Sequence, residues 1–130
     1  MIVGIGTDIV ELKRIARLVE KYGDTFLRKI LSADEIQSCN LSENRIQRIG
    51  ARFAAKEALG KAFGTGIFGE INFQNVQLAT NEMGAPFFIL HDEAAKIQKA
   101  RKISHIHVSL SHTDSYAISF VVLESSAIMP

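Results

Sequence analysis

The sequence predicts one α+β domain, spanning residues 1–130, with helices packed on a largely antiparallel sheet. A chain of 130 residues buries roughly two thirds of its unfolded surface, which is enough for a single core. No repeat, low-complexity tract or linker divides it. The predicted elements follow the order strand, three helices, two strands, helix, two strands. Strands that come in separate pairs favour an antiparallel sheet over a doubly wound parallel one.

The first two elements are a strand and an amphipathic helix. The stretch "MIVGIGTDI" alternates as a strand does, so its side chains divide between two faces. One face carries Val3, Ile5 and Ile9, and the other carries Gly4, Gly6 and Asp8. In "VELKRIARLVEKYG" the apolar residues recur at helical spacing and the helix is expected to stop at Gly23: Leu12, Ile15, Ala16, Val19 and Tyr22.

Two further helices are predicted before the second strand. Ser32, with Glu35 three residues later, is the signature of a capping box and predicts a short helix. Ser42 is the expected cap of a longer helix that reaches about Phe63. The remaining elements are a strand at "VQLAT", a turn at "NEMGAP", a strand at "FFIL", a helix at "DEAAKIQKARK", and strands at "HIHVSLS" and "YAISFVVL".

Composition and charge argue against several classes of function. The chain is 47% hydrophobic and 22% charged, and it has no apolar run of the length that a membrane span needs. Its first residues lack the features of a secretion signal, so we expect a cytoplasmic protein. A net charge of +1 argues against nucleic acid as a bulk partner. Cys39 is the only cysteine, which excludes an internal disulfide and a zinc site made of thiolates, and we interpret it as incidental.

Asp8 is the first residue that suggests chemistry. Its strand face otherwise carries Gly4 and Gly6, so a bulky group could approach the bare backbone beside its carboxylate. The alternative is structural, because Asp8 precedes a helix and has Glu11 three positions on, as an N-cap residue would. From this stretch alone, the cap is the favoured interpretation.

Glu57 changes that balance. On the predicted helix it shares a side with Lys61 and with two glycines, Gly60 and Gly64, although glycine in a helix interior costs roughly 0.5–1 kcal/mol relative to alanine. A surface ion pair, which is the alternative, needs no such glycines. Two carboxylates from distant segments together with a lysine suit magnesium, which completes its coordination with water and substrate phosphate oxygens.

Two other patterns give weaker evidence of function. "GTGIFG", residues 64–69, matches the dinucleotide-binding fingerprint but follows a helix instead of opening one, so we interpret it as a helix end and a loop. Ser111 and His112 end a strand whose polar face either binds phosphate or simply faces water. No serine has a hydrolase elbow motif.

The predicted first helix carries a basic stripe, which we define as Lys13, Arg14, Arg17 and Lys21. Such a stripe is usually a solvated face, and acidic residues interrupt this one. Its functional interpretation is a docking surface for an acidic protein.

Taken together, "GIGTDIVEL", "RFAAKEALGKAFGTG", "GAPFFIL" and "HVSLSHTDSYAISFVV" resemble the bacterial holo-acyl-carrier-protein synthases, the small phosphopantetheinyl transferases. The resemblance runs from Met1 to about Val122, and "FAAKEALGKAFGTG" is a family signature. It implies a magnesium-dependent transfer of 4′-phosphopantetheine from coenzyme A to a serine of apo acyl carrier protein, in support of fatty acid biosynthesis. Adenosine 3′,5′-bisphosphate is the implied second product.

The resemblance also implies roles for individual residues. Asp8 and Glu57 hold the metal, and Lys61 joins them as a catalytic residue that contacts phosphate. Arg14 engages the acidic recognition helix of the carrier protein. Gly60 and Gly64 leave room for the pyrophosphate and the pantetheine arm. The other residues placed around coenzyme A are Arg52, Gly84, Pro86, Ser111 and His112. In one departure from the family pattern, Ala85 stands where a basic residue is frequent.

The last strand predicts assembly. "YAISFVVL" presents apolar groups on both faces, so both faces need a cover, and in so small a sheet the second cover can be another subunit. The resembled family is trimeric, which implies a homotrimer with each site shared between neighbours. Two rival functions use some of the same residues: a magnesium phosphohydrolase, and a non-catalytic nucleotide-binding or scaffolding domain.

Overall fold

The computed structural model describes residues 1–126, which form five strands and five helices. The strands are β1 (Ile2–Glu11), β2 (Val76–Thr80), β3 (Pro86–Leu90), β4 (His105–His112) and β5 (Tyr116–Glu124). The helices are α1 (Leu12–Tyr22), α2 (Asp24–Ile30), α3 (Ala33–Asn40), α4 (Arg45–Phe63) and α5 (Asp92–Ala100). The predicted α+β class is confirmed.

The strands form two antiparallel sheets. One is three-stranded, in the order β1-β5-β4, and the other is the β2-β3 hairpin. In the larger sheet Asp8 pairs with Ser119, and Ser119 pairs with Leu110 on the far side. The central strand is therefore β5, the last element along the described part of the chain.

The element order differs from the prediction by one helix, because four helices and not three lie between β1 and β2. The additional helix is α2, which begins immediately after Gly23. Gly23 has φ 54°, so it turns the chain and a new helix starts in the next residue. The sequence interpretation recognised the stop at this glycine but not the restart. Leu27 and Ile30 of α2 are buried in the core.

Only one of the predicted N-caps is present. Ser32 and Glu35 form the capping box at the start of α3, as predicted. At α4 the prediction of Ser42 is wrong, since Asn44 occupies the N-cap position and the Ser42 hydroxyl accepts a hydrogen bond from the Asn44 backbone N–H. Asp8 is not a cap either, because β1 continues to Glu11, the residue that precedes α1.

Helix α4 packs directly on β1 through the two strand glycines. A Cβ atom on Gly4 would collide with the carbonyl oxygen of Ala62, and one on Gly6 would collide with that of Ala58. The bulky group that approaches the bare backbone beside Asp8 is thus the protein's own helix. This close packing joins the turn of α4 that carries Glu57 and Lys61 to the strand that carries Asp8.

The opposite face of the three-stranded sheet is apolar and exposed in the single chain. We call it the open sheet face and define it by six residues from β1 and β5, which are Val3, Ile5, Ile9, Tyr116, Ile118 and Phe120. Ile5 is 62% exposed and Phe120 is 46% exposed, whereas Val121 and Leu123 on the covered face are buried. The predicted apolar groups on both faces of the last strand are present, and α4 covers only one of them.

Candidate active site

Asp8 and Lys61 meet where β1 crosses α4. The Lys61 ammonium donates hydrogen bonds to the Asp8 carboxylate oxygen Oδ1 and to the backbone carbonyl of Thr7, both at 3.0 Å. The Asp8 side chain is 15% exposed and that of Lys61 is 53% exposed. The carboxylate is therefore held in place, while the longer cation retains access to solvent.

Glu57 lies one turn before Lys61 on α4 and faces the same place. Burial raises the pKa of Glu57, and the negative charge of Asp8 raises it further. The positive charges of Lys61 and Arg14 partly oppose that rise in pKa. The two carboxylates are thus close enough to repel each other, although burial is the larger cause of the raised pKa of Glu57.

A cavity of about 420 Å³ opens beside these groups. Its lining comprises three acidic residues, two basic residues of α1, one aromatic residue and two aliphatic residues: Asp8, Glu11, Glu57, Arg14, Arg17, Phe53, Ile9 and Val10. The cavity therefore offers both carboxylate ligands and cations. A cation bound by Asp8 and Glu57 and a phosphate bound by the basic residues are both compatible with this charge distribution.

The residues fit magnesium in one specific respect. Within residues 1–126 no group of three or more His, Cys, Asp or Glu side chains is arranged to hold a metal ion. Magnesium does not require one, because it binds through one or two protein carboxylates and takes its other ligands from water and substrate phosphates. The mutual repulsion of Asp8 and Glu57 is what a divalent cation would relieve.

The two glycines near Glu57, which the sequence interpretation expected to leave room for a ligand, differ from each other in the structure. A Cβ atom on Gly60 would collide with the backbone of Gly66 and Ile67, so Gly60 makes room for the chain's own loop. Gly64 ends α4 in the left-handed conformation, with φ 77°, which confirms the predicted helix end. Nothing lies within 4 Å of a Cβ atom placed on Gly64, so the space there is open.

Arg52 lies in a different environment from Asp8 and Glu57. Its side chain is 7% exposed, and its Nε atom is 3.7 Å from the Glu35 carboxylate oxygen Oε2. Neither of these two atoms has a hydrogen-bond partner. Arg52 lines a second, smaller cavity between α3 and β2. The structure therefore gives Arg52 an ion pair in the interior, and its predicted contact with coenzyme A stays a prediction.

The remaining predicted ligand residues lie away from the carboxylate cavity in the single chain. Gly84 has φ 83° in the turn between β2 and β3, where the sequence placed a turn, and Pro86 begins β3. Ser111 and His112 end β4 and are exposed. None of these four residues lines the cavity that contains Asp8 and Glu57.

The basic stripe is exposed along α1, and its residues differ in position. Arg14 lines both the carboxylate cavity and a neighbouring apolar groove. Arg17 lies 3.8 Å from the Glu11 carboxylate. Lys13 and Lys21 line neither cavity. Arg14 and Arg17 are therefore the members of the stripe that line the carboxylate cavity, and Arg14 also borders the groove.

Sequence reasoning missed an aromatic wall between the cavity and that groove, formed by Phe53, Phe68 and Phe73. The rings of Phe53 and Phe73 stack with centroids 5.6 Å apart, and Phe68 meets Phe73 edge-on at 5.8 Å. All three residues line the groove, and Phe53 also lines the carboxylate cavity. The spacing of these phenylalanines along the sequence carried no signal that would have joined them.

Lys56 is the second residue that the sequence interpretation missed. It is fully buried, and its ammonium donates three hydrogen bonds, to the Ile30 carbonyl at 2.8 Å, to Glu35 Oε1 at 2.7 Å and to the Phe73 carbonyl at 3.0 Å. Burial lowers the pKa of Lys56, and the Glu35 carboxylate opposes that change. The sequence contained a signal for this residue, because Lys56 lies among the alanines on the apolar side of α4. A lysine buried at such a position is rarely without partners.

Comparisons with known proteins identify the family and agree with the fold. The family model described as the 4′-phosphopantetheinyl transferase superfamily matches residues 4–121. A holo-[acyl-carrier-protein] synthase of Koribacter versatilis is 40% identical over 124 residues, covering 95% of this chain and 99% of the relative. One from Alkalilimnicola ehrlichii is 42% identical over 127 residues, covering 97% and 99%.

Solved structures show the same agreement. The holo-[acyl-carrier-protein] synthase of Neisseria meningitidis superposes with a TM-score of 0.91 at 39% identity, and the match covers 96% of this chain and 100% of the Neisseria chain. The Helicobacter pylori enzyme, solved in complex with coenzyme A, has a TM-score of 0.82 at 32% identity, covering 92% and 99%. The fold and the family match thus define a phosphopantetheinyl transferase. Within that class, the chain belongs to the holo-[acyl-carrier-protein] synthase family.

Proposed function

We propose that this chain transfers 4′-phosphopantetheine from coenzyme A to a serine of apo acyl carrier protein, and that it needs magnesium to do so. The observation that supports this proposal most is that Asp8 and Glu57 line one cavity, with the Lys61 ammonium paired to Asp8. Membership of the family and the coenzyme A complex of the H. pylori relative supply the reaction. Fatty acid biosynthesis in the cytoplasm is the corresponding role.

The proposed chemistry is a displacement at phosphorus. The serine oxygen of the carrier attacks the β-phosphorus of coenzyme A, and the bond from that phosphorus to the bridging oxygen breaks. The bridging oxygen leaves on adenosine 3′,5′-bisphosphate, and the serine proton passes to Asp8 or to a water molecule in the site. The products are holo carrier protein and adenosine 3′,5′-bisphosphate. Such a reaction asks the protein for positioning and for neutralisation of phosphate charge. Asp8 and Glu57 would hold magnesium, which would supply positive charge at the pyrophosphate.

Lys61 has a role that follows from its exposure. In the structure it pairs with Asp8, but its side chain is 53% exposed and flexible enough to meet a phosphate oxygen in the cavity. Lys61 would offset the negative charge of the phosphate, next to the two carboxylates that would hold the metal. Gly64, with open space beside it, is the proposed point at which the coenzyme passes the end of α4.

We also propose that the sites are shared in a homotrimer. The open sheet face exposes a continuous apolar surface, which a soluble monomer rarely does. Gly84, Pro86, Ser111 and His112 are absent from the carboxylate cavity of their own chain. Arg52, which lines another cavity, joins them as a proposed contact of coenzyme A. A neighbouring subunit would bring the turn with Gly84 and Pro86 and the end of β4 with Ser111 and His112 to the coenzyme, and this arrangement accounts for both observations.

The basic stripe is the proposed docking surface for the carrier protein. Its four cations, Lys13, Arg14, Arg17 and Lys21, lie on the exposed side of α1. An acidic partner docked there would sit next to the carboxylate cavity, because Arg14 borders both. Charge complementarity of this kind mainly increases the rate of association.

The decisive experiment is intact-mass analysis of an apo acyl carrier protein incubated with coenzyme A, magnesium and this protein. The proposal expects the carrier to gain the mass of one phosphopantetheine group. A parallel incubation without carrier tests the rival phosphohydrolase, for which coenzyme A would be hydrolysed rapidly. A carrier that gains no mass, while coenzyme A is bound and stays intact, would support a non-catalytic binding domain instead.

A further inference from the structure

The buried ammonium of Lys56 joins three separate segments of the chain. Its three hydrogen bonds reach the last residue of α2, the first turn of α3 and the loop that follows α4. Three donors are available on a lysine and all three are used. Because an unpaired charge in the interior is costly, this arrangement fixes the three segments relative to the turn of α4 beside Glu57.

The bond to the Phe73 carbonyl leads toward the site. Phe73 is 6% exposed, and its ring stacks on Phe53, which lines the carboxylate cavity. Lys56 thus holds the backbone from which the aromatic wall is built. Lys56 itself is fully buried, so it touches neither the cavity nor anything bound there.

We propose that Lys56 is a positioning residue for the reaction, acting through Phe73 and the aromatic wall on the placement of substrates beside Asp8 and Glu57. The hydrogen bond to the Phe73 carbonyl fixes the position of the loop after α4. The Phe73 ring stacks on Phe53 and so restricts the position of that ring, which lines the cavity. The kinetic part of this inference rests on the proposed transfer of phosphopantetheine. The structural part does not.

The test removes the ammonium together with the charge of its carboxylate partner. Lys56→Met keeps the length of the side chain, and Glu35→Gln in the same chain keeps an acceptor for the Ser32 N–H. Because Glu35 is also the ion-pair partner of buried Arg52, the reference for the double variant is Glu35→Gln alone, which affects Arg52 equally but keeps the bond from Lys56 to Phe73. Ser32→Ala is the matched control, because it weakens the same capping box but leaves the bond from Lys56 to Phe73 in place. Circular dichroism confirms that each variant is folded at the assay temperature.

The first readout is kinetic. We expect the Lys56→Met/Glu35→Gln chain to lose roughly tenfold to a hundredfold in kcat relative to Glu35→Gln alone, as misplacement of substrates does. The magnesium concentration for half-maximal rate stays as in the wild type, because Asp8, Glu57 and Lys61 keep their places. Ser32→Ala keeps its kcat at temperatures below its melting transition. Equal kcat in the double variant and in Glu35→Gln alone would overturn the proposal.

The second readout does not use activity. The chain contains no tryptophan, so Phe68→Trp introduces a single indole at the edge of Phe73, and this indole is excited at wavelengths where tyrosine does not absorb. We expect the indole anisotropy to fall when Lys56→Met/Glu35→Gln is added to Phe68→Trp, and to stay constant with Ser32→Ala. A loss of kcat with unchanged anisotropy would overturn the route through the aromatic wall. A wild type without transferase activity would instead overturn the proposed function, and the anisotropy would still test the role of Lys56.

A second variant protects the test if the double variant does not fold. Phe73→Leu keeps the carbonyl bonded to Lys56 and keeps an apolar side chain in the core, but it removes the ring that stacks on Phe53. We expect it to reproduce the loss of kcat at an unchanged magnesium requirement. Wild-type kcat in a folded Phe73→Leu chain would contradict the proposal independently of Lys56.

Discussion

Lys61 and Asp8 are 53 residues apart in the sequence, yet the Lys61 ammonium is 3.0 Å from the Asp8 carboxylate. The contact exists because Gly4 and Gly6 let α4 lie directly on β1. A strand residue that resembled a helix cap and a helix residue that resembled half of a surface ion pair therefore belong to one site. The close packing of α4 on β1 thus positions the two carboxylates and Lys61 relative to one another.

The first prediction concerns the two carboxylates. Asp8→Asn and Glu57→Gln should each lower the transfer rate by at least about 100-fold, because each removes a charge that holds the metal and changes little in volume. Glu93→Gln, on exposed α5, is the control and should leave the rate unchanged. Rates are measured at saturating magnesium with circular dichroism as a check of folding. Wild-type turnover in either site variant would rule out the proposed metal site.

The second prediction follows from the raised pKa of Glu57. A carboxyl group with a folded pKa above its unfolded pKa binds more protons in the folded state, so the free energy of unfolding falls as pH rises from the unfolded pKa through the raised folded pKa. Without metal, Glu57→Gln should therefore melt at a higher temperature than the wild type at pH 7. Thermal melts at pH 4 and pH 7 test this, and the difference should shrink at pH 4.

Magnesium supplies the control for that prediction. Because a bound cation stabilises the folded state by mass action, it should raise the melting temperature of the wild type and not that of Glu57→Gln. A variant that melts below the wild type at pH 7 without metal would mean that the Glu57 carboxylate is favourably placed in the free protein. Burial and the charge of Asp8 would then be outweighed by the attraction of Lys61 and Arg14.

The third prediction separates packing glycines from open ones. Gly6→Ala and Gly60→Ala should each destabilise the protein by about 1–3 kcal/mol or more, because the added methyl group meets backbone that has little room to move. Gly69→Ala is the control, since nothing lies within 4 Å of a Cβ atom there. Denaturant unfolding measures all three. An unchanged midpoint for Gly60→Ala would restore the idea that this glycine leaves room for a substrate.

Local signals predicted much of this fold correctly. The capping box at Ser32 and Glu35 depends on two residues three positions apart, and the end of α4 depends on the conformation of one residue, Gly64. Such features are determined by the chain around them. The restart of helix after Gly23 was missed because Leu27 and Ile30 are kept helical by burial in the core, which is not a local property.

The charged residues of the site were predictable from the sequence, but the packing around them was not. A resemblance of motifs brought Asp8, Glu57 and Lys61 together, and the structure places them together. The reason given for the glycines was wrong at Gly60, because periodicity shows that space is needed but not which group fills it. Lys56 was overlooked although its place among the alanines of α4 indicated burial, and its two backbone carbonyl partners could not be identified from the sequence.

The fourth prediction concerns the basic stripe. Arg14→Ala should raise the KM for the carrier protein more than it changes the affinity for coenzyme A, and added salt should lower the rate at low carrier concentration. Lys99→Ala, on α5, is the matched loss of one exposed cation and should do neither. Steady-state kinetics with each substrate varied in turn give both values. A reaction that is insensitive to salt would place the docking surface elsewhere.

The fifth prediction concerns the open sheet face. Phe120 is 46% exposed at the centre of that face, between Thr7 and Ser109, and its exposed side faces away from α4. Phe120→Asp should therefore leave the fold of the chain intact while preventing assembly, because a charge buried in an apolar interface has no partner. Sedimentation analysis should show a monomer, and transfer activity should be lost with it. An active monomer would contradict a shared site.

Complementation in mixed assemblies tests whether the sites are shared. Glu57→Gln disables the carboxylate side of a site, and His112→Ala disables the proposed contribution of the neighbouring chain, so neither variant should be active alone. If each site takes Glu57 from one chain and His112 from the next, an assembly containing both variants holds at least one interface at which two intact halves meet. Activity should then return on mixing, once exchange of subunits has been verified by mass spectrometry. Mixtures that stay inactive despite verified exchange would mean that each site is complete within one chain, and the open sheet face would then need a different explanation.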